Sequence, residues 1–196
     1  MLALQDLTVA RKRRISKVTS AHKEKFAQYL TPIEIARFMA QLSIKYQEKI
    51  NSVTILDPGA GSGILSCCLI NELLTKNSIS NLSLDAWELD TSIIPELTNT
   101  CRNITDKRFH YAIHHKDFIT ENSQGTLWDA AKRYNLVIMN PPYKKIHSDS
   151  IYHSVLRDLG IETVNTYSAF MALVIKMMAD NGILTAIVPC SFCNCT

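Results

Sequence analysis

No stretch of this chain is apolar for long enough to cross a bilayer, and none opens it in the manner of a secretory signal. No membrane association is expected, and a reduced, cytoplasmic setting is. Internal repeats, low-complexity tracts and linkers are also missing. Glycine and proline number only six each in 196 residues, so no flexible seam divides the chain. Cysteine occurs six times, at Cys67, Cys68, Cys101, Cys190, Cys193 and Cys195, without the pattern that would give it a structural job. Cys190-x-x-Cys193-x-Cys195 lacks a second half with ligand spacing, so neither a metal site nor a disulfide framework is expected. The histidines are scattered, and His114-His115 reads as a solvent-facing strand end. What remains is 46% hydrophobic, enough for one α/β domain with a full core.

Charge is concentrated at one end. Residues 1–25 carry Arg11, Lys12, Arg13, Arg14, Lys17, Lys23 and Lys25 against Asp6 and Glu24, or +5 within a chain of +3 overall. This basic arm suits phosphate contacts or a solvated N-terminus. The domain proper is placed at 26–196.

The most specific stretch is Asn140-Pro141-Pro142-Tyr143, directly after the apolar run Leu136-Val137-Ile138-Met139. A buried strand would thus end in a side-chain carbonyl, a second carbonyl on Pro141 and an aromatic face, on a turn held by two prolines. Two acceptors and a ring suit a planar substrate bearing an exocyclic amino group. Pro-Pro merely ending a strand is the alternative.

Val53-Thr54-Ile55-Leu56-Asp57-Pro58-Gly59-Ala60-Gly61-Ser62-Gly63 reads as a strand, a glycine turn and the start of a helix. Gly59, Gly61 and Gly63 allow backbone to pass close to a ligand. The G-x-G-x-G spacing departs from the G-x-G-x-x-G of dinucleotide folds, and Asp57 opens the turn. That favours a ligand with a cationic amino-acid end over a pyrophosphate, another kind of nucleotide loop being the alternative. Glu88 follows the next strand, Leu82 to Trp87, with Leu89 beside it, and suits ribose hydroxyls better than Asp90 does. A third strand, Phe109 to His115, leads to Asp117-Phe118: an acceptor for an adenine amino group and a ring to pack on the base. Acids placed in order after successive strands point to one crevice at the strand ends.

In this order the motifs resemble those of class I S-adenosylmethionine-dependent methyltransferases, and within them the N6-adenine DNA methyltransferases of the gamma arrangement found in bacterial restriction–modification systems. The family's cofactor-contacting motif ahead of the glycine loop stands here as Gln28-Tyr29-Leu30-Thr31-Pro32. Thr31-Pro32-Ile33-Glu34 has the form of a capping box, and Ile33, Ala36, Phe38, Met39 and Leu42 are expected to form the buried face of the helix that follows. Further on, Asn165-Thr166-Tyr167 opens a helix through Leu173, Val174, Met177 and Met178, with Asp180-Asn181-Gly182 as its stop and Ile183 to Pro189 as the fifth strand.

The resemblance implies a Rossmann-like three-layer sandwich with a mostly parallel sheet. It implies S-adenosylmethionine contacts at Tyr29, Thr31, Pro32, Asp57, Gly59, Ala60, Gly61, Gly63, Glu88, Leu89, Asp117, Phe118 and Asn140. It also implies a catalytic Asn140, Pro141, Pro142 and Tyr143 that accept and stack an adenine turned out of the duplex. DNA is the expected substrate, and a restriction or specificity subunit the expected partner. The family's catalytic domain continues with two more strands and a target-recognition domain, whereas this chain stops just after the fifth strand. An incomplete catalytic domain is therefore expected, with the fifth strand an exposed edge prone to pair with a second copy. RNA or a protein glutamine amide are alternative acceptors, and a cofactor-binding chain without catalysis is a third reading.

Overall fold

The computed structural model describes residues 31–47, 50–123 and 132–193. Tyr29, the basic arm and Cys195 lie outside the described residues.

The chain alternates strands and helices: α1 Ile33–Lys45, β1 Ser52–Pro58, α2 Ile64–Leu74, β2 Asn81–Trp87, α3 Ile94–Arg102, β3 Phe109–His114, α4 Phe118–Glu121, β4 Tyr134–Met139, α5 Ile151–Asp158, α6 Thr166–Met177 and β5 Met178–Ala186. The five strands are all parallel, in the order β3-β2-β1-β4-β5. Strand side chains alternate between faces. Val53, Ile55, Leu82, Leu84, Leu136 and Ile138 pack with α1, α2 and α3 in one core. Leu56, Val137 and Met139 pack with α4, α5 and α6 in the other. Both sheet faces are covered, which is why the central strands read as continuous apolar runs. Helix α2 is buried at every position from Ile64 to Ile70, having the sheet on one side and neighbouring helices on others.

The direction of sheet growth reverses between β1 and β4, so the carboxyl ends of these two strands open a crevice. Three local expectations are corrected. The capping box does not form: α1 begins after Pro32 without a side-chain cap, and the Thr31 hydroxyl instead accepts from Asn140 Nδ2 at 3.1 Å. The buried face of α1 is Ala36, Met39, Ala40 and Ser43, while Phe38 is 62% exposed and Leu42 37%. Small residues let α1 approach α2 and β5 closely, and the buried Ser43 hydroxyl shares a 2.7 Å hydrogen bond with that of Thr185. Finally, α6 ends at Met177 and β5 starts at Met178, so Asp180-Asn181-Gly182 sits in a bulge opposite β4 rather than stopping the helix. Asn181 adopts the left-handed conformation there, with φ 59°. Among the described residues no helix is long and apolar enough to cross a membrane.

Candidate functional site

At the carboxyl ends of β1, β2 and β4 lies a cavity of about 350 Å³. Its wall contains Gly59, Gly61, Trp87, Glu88, Leu89, Asp117, Phe118, Asn140 and Pro142, drawn from segments the sequence singled out. Lys116, Ile119, Lys144, Tyr152, Thr166 and Phe170 complete it. Lys144 follows the tetrapeptide directly and could have been suspected. Tyr152 and Phe170 carry no local signal and enter the wall only through packing.

The glycine turn is pinned from β2. The amides of Gly59 and Ala60 both donate to the Trp87 carbonyl, at 2.9 and 2.8 Å. The Gly61 amide donates to Glu88 Oε2 at 2.8 Å, and the Asp90 amide to Oε1 at 2.7 Å. Glu88 therefore fixes the loop as well as facing the cavity. Burial pushes its carboxyl above the usual range, the Asp90 and Gly61 amides offsetting part of this. Asp90 is turned inward and accepts from the Ser92 amide at 2.9 Å. Glu88 lines the cavity and Asp90 does not.

Two glycines of the turn have separate reasons. Gly61, at φ 57°, would direct a Cβ into space with nothing within 4 Å, so the cavity there is a cradle a side chain would fill. Gly63, at φ 80°, would put a Cβ 2.8 Å from Leu97 Cδ1, so it is required by packing against α3 and does not line the cavity.

Asp57 is fully buried and absent from the cavity wall. Neither carboxylate oxygen makes a hydrogen bond of normal geometry. Burial pushes its carboxyl up to about 7, with the Ser66 hydroxyl and amide compensating in part and the Glu88 charge adding to the rise. This buried carboxyl stands near the end of β1, two residues before Gly59. Trp87 Nε1 is a second buried group without a partner.

On the far wall, Trp87 stacks on His114 at 4.4 Å between ring centroids, and Phe118 meets Trp87 edge-on at 5.6 Å. Asp117 caps α4, its Oδ1 accepting from the Thr120 amide at 2.9 Å, while its Oδ2 accepts from the Tyr152 hydroxyl.

The Asn140 turn is tied on three sides. Asn140 Nδ2 donates to Thr31, 109 positions earlier in the chain. Its Oδ1 accepts from the Tyr143 hydroxyl at 2.9 Å, which also donates to the Ile187 carbonyl at 2.9 Å. The Pro142 carbonyl accepts from the Thr166 hydroxyl, whose oxygen in turn accepts from the Lys144 amide at 2.9 Å. Pro141 is buried. Thr31 and Tyr143 flank the turn and do not line the cavity; Pro32 is exposed at the start of α1.

A crevice with an open glycine cradle, Asp57 buried just ahead of that loop in sequence and an aromatic wall beside Asp117 fits a nucleoside with a cationic amino-acid tail. The chain is 36% identical over 194 residues to the type II methyltransferase M.BsuBI of Bacillus subtilis, covering 95% of this chain and 38% of that protein. It is 29% identical over 179 residues to M.PstI of Providencia stuartii, covering 88% of this chain and 34% of that one. It thus spans little more than a third of the length of these curated relatives. A crystal structure described as a class I S-adenosylmethionine-dependent methyltransferase from Listeria monocytogenes superimposes with a TM-score of 0.75 at 19% identity, covering 99% of this chain and 55% of that one. The fold is that of class I methyltransferases. Residues 13–192 match the model of the N-6 DNA methylase family, and the chain belongs to that family.

Proposed function

We propose that this chain is the cofactor-binding and catalytic part of an enzyme that methylates the exocyclic amino group of adenine in DNA, within a bacterial restriction–modification system. The observation that carries this reading is the Asn140-Pro141-Pro142-Tyr143 turn at the β1/β4 reversal, adjoining the cavity that holds Glu88 and Asp117. The relatives named type II methyltransferases support it.

In this proposal Glu88 takes the ribose hydroxyls, Asp117 the adenine amino group, and Phe118 and Leu89 the faces and edge of the base. Asp57 holds the ammonium end by its field, and Thr31 supports Asn140 from the N-terminal motif. When bound, the cofactor's sulfonium supplies the activated methyl group. The substrate amino group is a weak nucleophile because its lone pair is delocalised into the ring. By accepting its two hydrogens, the Asn140 side chain and the Pro141 carbonyl bring that lone pair out of the ring plane and aim it at the methyl carbon. With the cofactor bound, the methyl group would pass from its sulfur to that nitrogen, and since Asn140 and the Pro141 carbonyl only accept hydrogen bonds, the surplus proton would leave to solvent. Since the Tyr143 hydroxyl lies on Asn140 Oδ1, it must give way as the base arrives, and its ring then stacks on the base.

The domain at 26–196, the arm at 1–25 as a phosphate contact, and a restriction or specificity subunit as partner belong to the same proposal. So does a homodimer through β5, an outer strand of the described sheet. The test follows labelled methyl from S-adenosylmethionine into DNA, RNA and protein acceptors, with nucleoside mass spectrometry for N6-methyladenine. Asn140→Ala is expected to lower transfer to DNA by at least about 100-fold while changing cofactor affinity less than about threefold. Label entering RNA or protein instead would replace the DNA reading. Tight cofactor binding without label in any acceptor would favour the non-catalytic reading.

A further inference from the structure

Tyr152 stands in the first full turn of α5, 35 positions after Asp117, and projects into the same cavity wall. Its place is fixed from both sides. Ser150 caps α5, its hydroxyl oxygen accepting from the His153 amide at 3.3 Å and its hydroxyl donating to the His147 carbonyl at 2.7 Å. The Tyr152 ring packs partly buried against the core beneath α4 and α6.

Asp117 receives hydrogen bonds from two directions. Oδ1 is held by its own helix start, through the Thr120 amide at 2.9 Å and the Thr120 hydroxyl at 3.2 Å. Oδ2 is held by the Tyr152 hydroxyl, which among the described residues is the donor to Asp117 from outside its own loop. A carboxylate oxygen has two lone pairs. With Oδ1 tied to the backbone and one lone pair of Oδ2 occupied by a donor, the remaining one is directed, and the carboxylate presents only acceptors to the cavity.

We infer that Tyr152 is a positioning residue that fixes Asp117 as a reader of the cofactor's 6-amino group, so that selection of adenine over a 6-oxo purine depends on a side chain that the base need not touch. This rests on the reading of Asp117 given above. A 6-oxo purine would place an acceptor against an acceptor, the situation in which a site rejects an analogue most strongly.

The test compares S-adenosylhomocysteine with its inosine counterpart by calorimetry on the intact chain. The wild type is expected to prefer the adenosine ligand by about 100-fold, the scale of one lost hydrogen bond to a charged group. Tyr152→Phe, which removes one oxygen, should reduce that preference by about tenfold, chiefly through weaker binding of the adenosine ligand. In an Asp117→Asn background the same change should have no further effect on the ratio. A merely structural role would weaken both ligands alike and leave the ratio intact, which would overturn the inference for Tyr152 alone. Wild-type protein that binds neither ligand would overturn the cofactor assignment and this role with it.

Discussion

Asp57 and Asp85 stand on adjacent parallel strands, one residue out of register, and meet opposite fates. By strand alternation Asp57 shares the face of Val53 and Ile55, and Asp85 that of Leu56. Asp85 is 7% exposed and fully served: Lys132 Nζ at 2.7 Å, the Tyr134 hydroxyl at 2.8 Å and His114 Nε2 at 3.1 Å all reach its carboxylate. Burial works against its charge, but these three partners outweigh it and hold the carboxyl below its usual range. Asp57 is more deeply buried and has no such partners, and its carboxyl rises to about 7. The same fold surrounds one aspartate with three partners and gives its neighbour only the weak compensation of Ser66. Asp57 opens the glycine turn; Asp85 joins β2 to β3 and β4 away from the crevice.

The largest expected effect is a difference in pH dependence. A carboxyl raised from 3.8 to about 7 binds its proton more tightly in the folded state than in the unfolded state. Its contribution to stability is full below pH 4 and is lost as pH rises through 7. The loss amounts to at most about 4 kcal/mol. Urea unfolding at several pH values should show this slope in the ligand-free wild type and not in Asp57→Asn. Identical slopes would mean that Asp57 has partners of its own. Asp85 has the opposite sign: its stabilisation is present above the unfolded carboxyl range and is lost on acidification below about pH 4.

Next in size is removal of Asp85 itself. Asp85→Ala strands a lysine, a tyrosine and a histidine and should lower stability by about 3 kcal/mol at pH 7, seen as a fall in Tm of about 10 °C. A fall below about 1 kcal/mol would erase the distinction between the two sites. The smallest effect concerns binding. Asp57→Asn should weaken S-adenosylmethionine by about tenfold, the scale of one screened charge contact, while Asp85→Ala measured below its Tm should change affinity little. Equal losses in both would show that Asp57 acts only through stability.

Much of the site was legible because its signals are local. Glycines at alternate positions, an acid at the end of a β-run and two prolines after an apolar strand report what the backbone must do at those points. Parallel strands buried on both faces announce themselves as the apolar runs of β1 and β4. The failures are equally local in cause. Thr31-Pro32-Ile33-Glu34 has the right residues for a cap, but the half-buried Asn140 competes for the same hydroxyl. Phe38 and Leu42 are the larger apolar residues of α1, yet close helix packing selects Ala36 and Ala40. Asn181-Gly182 has the composition of a helix stop and serves as a strand bulge.

By itself, then, the sequence determined the alternation of strands and helices, the crevice at the strand ends and the family, because each depends on residue type and short spacing. Tertiary structure decided which groups are satisfied. It paired Thr31 with Asn140, Tyr152 with Asp117 and Lys132, His114 and Tyr134 with Asp85, and gave Asp57 no hydrogen bond of normal geometry. Whether a buried polar group finds a partner depends on what packing brings within 3 Å of it, and partners 29 to 109 positions away in the chain leave no mark on the local pattern.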